Sequence, residues 1–454
     1  MKQIRMRRQT HVLTAATTAL FSVLAISGAS AQPATQPLTL QDLERRALER
    51  NPTIGQARAD VDAATGRVKQ AGLYPNPVLS AVGEEISAGP IIRGGEFGGG
   101  VQQRIVTAGK LSLSRKVAEQ EKAITEEAAN AQRQRVLNAV RSLYYQALSD
   151  QYRIQVRTNL AKLAGEVVRI SNELANVGQA DQPDQLAAEV EAQRIRLDLA
   201  DATDRQERTW RQLGAVINDP SLRPAPLVGD LENVPRLDVE QALAAIYADS
   251  PDLRAANIDV NRAEFGLARA RKEKIPDIVV SGGVRHNNEL LEQNIGSAIR
   301  RPVGPEGFFD ISIEIPIFNR NQGNVAVARA GVDRAKLDVE RTRLALRSRL
   351  AEVYREYRTS LTRADQYKQE VLPKAQRAYE LYLNNFRQMA AAYPQALIAQ
   401  RNLFQLQDEY VNALVTAWQR SVEIQGLLLT GGVEVSGMNL TMEQMQMRPG
   451  DTVR

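Results

Sequence analysis

The stretch FFDISIEIPIF, residues 308–318, alternates polar and apolar side chains from Asp310 to Ile315. A period of two belongs to a strand with one wet face and one apolar face. The sequence on either side is helical over long distances. A strand with Asp310, Ser312 and Glu314 on one side and Ile311, Ile313 and Ile315 on the other needs something to cover its isoleucines. A soluble core and a lipid bilayer both meet that need.

The bulk composition argues against a large aromatic-rich core. Of 454 residues, aromatics make up 5%, and the mean hydropathy is −0.34. Ala, Gln, Arg, Glu and Leu are abundant, and all are good helix formers. The first 31 residues read as an export signal. Lys2, Arg5, Arg7 and Arg8 precede a mostly apolar run over 12–28, and Ala29-Ser30-Ala31 offers a small-x-small cleavage site before Gln32. Removing those four basic residues takes the formal charge from +5 to +1. The mature chain then lacks the clustered positive charge that nucleic-acid binding needs. No later run of about 18 apolar residues offers a transmembrane helix.

The chain contains no cysteine. It is therefore expected to hold no disulfide and, without a lipobox cysteine, to carry no N-terminal lipid anchor. His286 is the one histidine left after His11 departs with the signal. Zinc sites of the Cys/His kind and Ser-His-Asp catalysis want more than this. A glycan hydrolase would need two carboxylates held about 5–10 Å apart in a cleft, and no segment proposes such a pair. The reading is of a protein that is not an enzyme and needs no cofactor.

The chain reads as a duplication. LTLQDLERRALERNPTIGQARADV (38–61) is similar to LDVEQALAAIYADSPDLRAANIDV (237–260), and Pro52, Val61, Ala71 and Pro77 fall on Pro251, Val260, Ala270 and Pro276 at one constant offset. GKLSLSRKVAEQE from Gly109 answers GNVAVARAGVDRA from Gly323. Each half reads helix, strand, strand, long helix, shorter helix. The expected organisation is a signal over 1–31, repeats over 32–230 and 231–430, and a flexible tail over 431–454. Pro220, Pro224, Pro226 and Pro235 mark a linker between the repeats.

The long helices carry seams of alternating threes and fours: Leu160, Leu163, Val167, Ile170, Leu174 and Val177 in one half, Leu346, Leu350, Val353, Tyr357 and Leu361 in the other. About 60 residues at about 1.5 Å each make a rod near 90 Å. Gly178 and Pro183 break the first rod. Pro373 is expected to kink the second, whose return helix follows Tyr393-Pro394. Seams alone fit a soluble periplasmic coiled-coil spacer.

Four strands are expected, at 78–87, 96–106, 277–286 and 308–317. Each has the length of a tilted membrane-crossing strand, with Phe97, Phe308, Phe309 and Phe318 near strand ends. Membrane strands must close into a barrel, and bacterial barrels need at least about eight. One chain offers four, so more than one chain must contribute. On the membrane reading Asp310, Ser312 and Glu314 face a water-filled lumen.

LYPNP (73–77), QQRIVTAGKLSLSR (102–115), PIFNRNQGNVAVARA (316–330) and VLPKAQRAYELY (371–382) carry a resemblance. With the duplicated layout they resemble the TolC family of outer-membrane efflux channels, and most of all its heavy-metal branch of CzcC-like and CusC-like proteins. The resemblance covers about residues 38–430. It implies a mainly α fold: long antiparallel coiled-coil helices plus four β-strands per chain, closing as a trimeric twelve-stranded barrel with an α-helical tunnel. It implies an outer-membrane location extending into the periplasm, a homotrimer in outer-membrane lipid, a periplasmic adaptor and an inner-membrane pump of the resistance-nodulation-division class. The cargo it implies is heavy-metal cations, with organic drugs or secreted proteins as the rival.

By position, Val177, Gly178, Gln179 and Ala180 resemble the tip turn that meets the adaptor, with Met389 and Ala390 in the matching second tip. Gly178 also suits a helix C-cap. Gln395 stands where some relatives carry an acid at the periplasmic entrance, a departure from the pattern. Asp181 and Asp184 lie near the first tip, where threefold symmetry would make each a cation-attracting ring. Asp184 also suits an N-cap after Pro183. In the tail, Met438, Met442, Met445 and Met447 either offer soft thioether ligands for Cu(I) or Ag(I) or form an oxidisable segment with no ligand.

Overall fold

The computed structural model describes residues 37–84, 95–176, 182–293, 299–388 and 393–433. The signal and the four tail methionines lie outside the described residues.

Each half opens on two short helices separated by one residue. Helix α1 (Leu40–Arg50) is capped by Thr39, whose hydroxyl accepts from the Asp42 N–H. Asn51 then caps α2 (Pro52–Ala71), with Pro52 at the first helical position. The second half repeats the device. Asp238 caps α5 (Val239–Asp249), and Ser250 with Pro251 begins α6 (Pro251–Lys272). Proline is tolerated there because the N–H it lacks has no intrahelical partner.

Two strands follow each pair: β1 (Val78–Glu84) and β2 (Glu96–Ile105), then β3 (Ile278–Gln293) and β4 (Ile299–Ile313). They form one antiparallel sheet in the order β1-β2-β3-β4. The last two strands differ from expectation: β3 runs on to Gln293, and β4 begins at Ile299 and stops at Ile313. Glu314 and Ile315 therefore lie past the end of β4. The Ile317 N–H turns back to the Ile315 carbonyl at 2.9 Å, and Pro316 has no N–H to give to a ladder. Phe308 falls inside β4, not near its end.

The long helices are α3 (Lys110–Asn176) and α7 (Gln322–Gln366), which continues through a π-helical turn, Tyr367–Val371, into α8 (Leu372–Arg387). The return helices are α4 (Gln182–Ile217) and α9 (Tyr393–Gln425). At 67 residues, α3 is about 100 Å long. Helices α2, α4 and α6 pack along α3, and α6 and α9 along α7. The second seam is buried as read, at Leu346, Leu350, Val353 and Tyr357. The first is rotated: Leu160 is buried with Ala164 and Ile195, whereas Leu163 is exposed. Helix α3 meets both α4 and α9, so one stripe does not describe its contacts.

The main core gathers where the helices cross the inter-repeat segment 218–238. Leu227, Leu231 and Val234 of that segment are buried with Leu43, Val140, Trp210, Leu350 and Trp418. The proline-rich segment is thus a belt bonded across three helices, and more than a linker. Gln151 of α3 exchanges hydrogen bonds with Leu227, at 2.9 and 3.4 Å. From α7, the Tyr354 hydroxyl donates to the Leu237 carbonyl at 3.1 Å, and Tyr357 accepts from the Leu237 N–H at 3.0 Å. From α9, the Trp418 indole N–H donates to the Leu231 carbonyl at 2.8 Å. These bonds satisfy belt backbone groups that have no sheet or helix partner.

Candidate functional site

Register and pleat assign the sheet two unlike faces. One carries Leu79, Phe97, Val101, Ile105, Ile278, Val280, Val284, Phe309, Ile311 and Ile313, interrupted by Gln103 and His286. Leu79 is 82% exposed, and Val284 and Phe309 are 70% exposed each. The other carries Ser80, Glu84, Glu96, Gln102, Arg104, Ser281, Arg285, Asn287, Glu306, Asp310 and Ser312. Among the described residues most of the apolar face is exposed, and β1 and β4 are the edges of the sheet.

Asp310 and Ser312 lie on the polar face as expected. The Ser281 hydroxyl reaches the Asp310 carboxylate at 3.4 Å. Glu314 shares the polarity but lies beyond β4. The polar face is organised around a residue the alternation did not single out. Arg285 lies 2.6 Å from Glu96, 3.3 Å from Glu306 and 3.7 Å from Glu84. Asn287 adds a 2.8 Å bond to Glu96. Four charges from four strands thus sum to two negative.

Phe308 also points to this face, where its ring lies over two glycines on neighbouring strands. A Cβ at Gly283 would meet the ring at 2.7 Å and the Gly99 carbonyl at 2.3 Å; one at Gly100 would meet the ring at 2.8 Å. The glycines make room for the ring, and the ring supplies the packing that glycine lacks.

At the far end, Val177, Gly178, Gln179, Ala180, Asp181, Met389 and Ala390 lie outside the described residues. Helix α4 begins at Gln182, so Asp184 sits within its first turn instead of capping it. A carboxylate there still complements the helix dipole. Gln395 is exposed in the first turn of α9 and faces a groove with Ala378 and Tyr382 of α8.

Between α4 and α9, over α3, runs a cleft of about 470 Å³ that seam reading missed. Ion pairs cross it. Arg401 of α9 meets Glu191 of α4 at 3.0 Å through Nε, and Arg157 of α3 meets Asp408 of α9 at 2.7 Å. Arg153 is 7% exposed and donates to Asn412 at 2.5 Å. Burial lowers its proton affinity, which Asp408 and Asp150 oppose. These charges flank the seams at no fixed spacing, so only their partners reveal them. Among the described residues, no group of three or more His, Cys, Asp or Glu could hold a metal ion, and no helix is long and apolar enough to cross a membrane.

The profile of the outer membrane efflux protein family matches residues 43–219 and 242–428. The chain belongs to the outer membrane efflux protein family. Its two matched segments flank the belt. The chain is 25% identical over 392 residues to the cobalt-zinc-cadmium resistance protein CzcC of Cupriavidus metallidurans, covering 86% of this chain and 90% of that protein. It is 25% identical over 329 residues to protein CyaE of Bordetella pertussis, covering 69% and 68%. Among solved structures, CusC superposes with a TM-score of 0.71 at 17% identity, over 88% of this chain and 94% of that one. VceC of Vibrio cholerae superposes at 0.67 and 18% identity, over 87% and 97%. The mainly helical fold with few antiparallel strands is that of TolC-family channels. This outer membrane efflux protein is a channel and not an enzyme.

Proposed function

We propose that this channel is the outer-membrane conduit of a tripartite efflux system that exports heavy-metal cations. Three copies pair the β4 edge of one chain with the β1 edge of the next, closing a twelve-stranded barrel continued by a helical tunnel. An inner-membrane pump of the resistance-nodulation-division class supplies the energy, and a periplasmic adaptor docks on the tips around 177–180 and 389–390. The mature chain begins near Gln32.

The observation that carries this reading is the two-faced open sheet. Its exposed isoleucine, valine and phenylalanine face suits lipid, and its carboxylate-bearing face suits a wet lumen. Unpaired edges are too costly in lipid, so the sheet must close with other copies. Asp310 and Ser312 then line the lumen, with Glu314 at its periplasmic rim and Asp181, Asp184 and Gln395 around the entrance. The net negative polar face favours cations over anions. The metal cargo rests on the likeness to CzcC over most of both chains.

Two measurements test the reading. Outer-membrane extracts run unboiled and boiled should yield an oligomer that collapses on heating; a soluble periplasmic monomer would sink the channel and leave a coiled-coil spacer. A strain lacking the protein should become sensitive to cobalt, zinc or cadmium. Sensitivity to organic compounds instead, with metals tolerated as before, would replace the cargo with drugs.

A further inference from the structure

Helices α2 and α6 each pack on α3, and a groove of about 550 Å³ lies between them. Ile124, Ala128 and Ala131 of α3 form its floor, with Ala57 of α2 on one side and Pro251 and Ala255 of α6 on the other. Its rim is charged, and two of the rim cations lack a carboxylate. Among the described residues Arg135 reaches only Gln132, at 3.5 Å, and Arg67 makes no ion pair. Gln132 also donates to the Thr53 hydroxyl of α2 at 2.9 Å, which sets α2 against α3 in height. Arg135 lies three residues down α3 from that bond and Arg67 fourteen residues up α2, so the two cations stand about 25 Å apart along the groove.

The chain arrives at the lower end of this groove after α9. Asn138 of α3 donates to the Gly426 and Leu429 carbonyls at 3.1 and 2.8 Å, and Leu428 and Leu429 are buried. Asn51, the cap of α2, reaches the Gly432 carbonyl at 3.4 Å. Gly432 lies flat on α3, where a Cβ would meet that of Ala139 at 2.5 Å and the Arg135 carbonyl at 3.5 Å. Arg135 and Ala139 are one helical turn apart, so Gly432 sits on the groove's own face of α3, next to its end. Val433 follows and is 57% exposed.

Residues 434–454 come next in the sequence. Val435, Met438, Met442 and Met445 recur at steps of three, four and three, the repeat of one helix face. Methionine is unbranched and polarisable, and it suits a shallow, irregular apolar floor. Glu434 is two residues past Gly432, within reach of Arg135, and Glu443 is nine residues further. Nine residues span between about 14 Å as helix and about 30 Å extended, which brackets the separation of Arg135 and Arg67.

We infer that the groove between α2 and α6 is the seat of this chain's own segment 434–447. Its methionine face lies on Ile124, Ala128 and Ala131, and Glu434 and Glu443 pair with Arg135 and Arg67. The seated segment straps α2 of the first repeat to α6 of the second across α3. It also gives the methionines an apolar contact in place of a metal ion. The inference does not depend on barrel closure or on what the channel carries.

Because the chain has no cysteine, paired cysteines read the contact directly. In the full-length protein, Met442→Cys is combined with Ala128→Cys on the groove floor, or with Asn130→Cys on another face of α3, outside the groove. The connecting chain is the same length for both pairs. Mild oxidation should close the Ala128 pair about tenfold faster or more, because seating raises the effective concentration at one face only. Non-reducing gels should place that disulfide within one chain. Arg135→Glu should slow the Ala128 pair, and adding Glu434→Arg should restore it. Ala128 and Arg135 are half-buried and Asn130 is exposed, so these variants keep the fold. Equal rates for the two pairs, or an Arg135→Glu variant that closes as fast as its parent, overturns the inference. A disulfide that joins two chains overturns it as well, and gives the groove to another copy's segment.

Discussion

Lys110 Nζ lies 2.9 Å from the Asp277 carboxylate, and the lysine side chain is 8% exposed. The same carboxylate oxygen accepts the Thr107 N–H at 3.1 Å, and the Thr107 hydroxyl donates to the Pro276 carbonyl at 2.6 Å. The start of α3 is thus fastened to the start of β3, which follows 167 residues later. The TAGK stretch, 107–110, is where sheet passes into helix. Replacing Lys110 by Met leaves Asp277 with less compensation in a partly buried site, at a cost of about 2–3 kcal/mol. Thermal unfolding followed by circular dichroism should show the midpoint fall. An unchanged midpoint would mean that the junction is held elsewhere.

Gly283 and Phe308 make a second test. Gly283→Val places a side chain 2.3 Å from the Gly99 carbonyl and 2.7 Å from the ring. The strands cannot pair around it, so the oligomer that the barrel reading expects in outer-membrane extracts should fail to form. Phe308→Ala removes packing without a clash and should leave the oligomer in place, weakened by about 2 kcal/mol. Survival of the Gly283→Val oligomer would contradict the close approach of β2 and β3.

The belt predicts a cost for a single oxygen atom. Tyr357→Phe removes a hydroxyl that accepts from the Leu237 N–H at 3.0 Å and donates to the Pro235 carbonyl. Both belt groups are left without that partner, a loss of about 1–3 kcal/mol. Chemical unfolding should show the loss with little change in slope, since the surface exposed is the same.

The π-helical turn Tyr367–Val371 has a pH signature at its first residue. The Tyr367 hydrogen bond, followed by that of Gln405, holds the Glu409 carboxyl below its ordinary value of 4.5. A depressed native pKa stabilises above the unfolded value, and the contribution is lost as pH falls through the native one. Tyr367→Phe should therefore melt below the parent at neutral pH, and the two melting temperatures should converge on acidification. A gap of the same size at both ends would show that the bond does not depend on the carboxylate's charge.

Much of the fold was legible because its signals are local. The two-residue alternation through Asp310–Ile313 and the seam Leu346–Tyr357 follow from spacing alone, whereas the breaks at Asn51 and Ser250 that split each opening helix in two went unread. The ends of strands were less so. Expecting β4 to begin at 308 missed residues 299–307, where Arg300, Arg301, Pro302 and Pro305 interrupt the alternation and only pairing with β3 holds the chain extended. The place of Arg285 at the centre of the polar face was also hidden, because nothing in GGVRHNN marks its three glutamate partners, which come from β1, β2 and β4.

By itself the sequence determined the rods, the strand count, the duplicated layout and the two polarities of the strands. These depend on periods of 3.6 and 2 and on backbone rules at Pro and Gly, which act within a few residues. Only the tertiary structure decided that the proline-rich join is a belt, that Phe308 lies over Gly100 and Gly283, that Arg153 and Arg157 meet α9, and that Glu232 reaches Lys368 and Tyr410. Those contacts join residues up to 259 positions apart. They are set by how the helices cross and by burial that forces each polar group to find a partner, and neither is written in any local stretch.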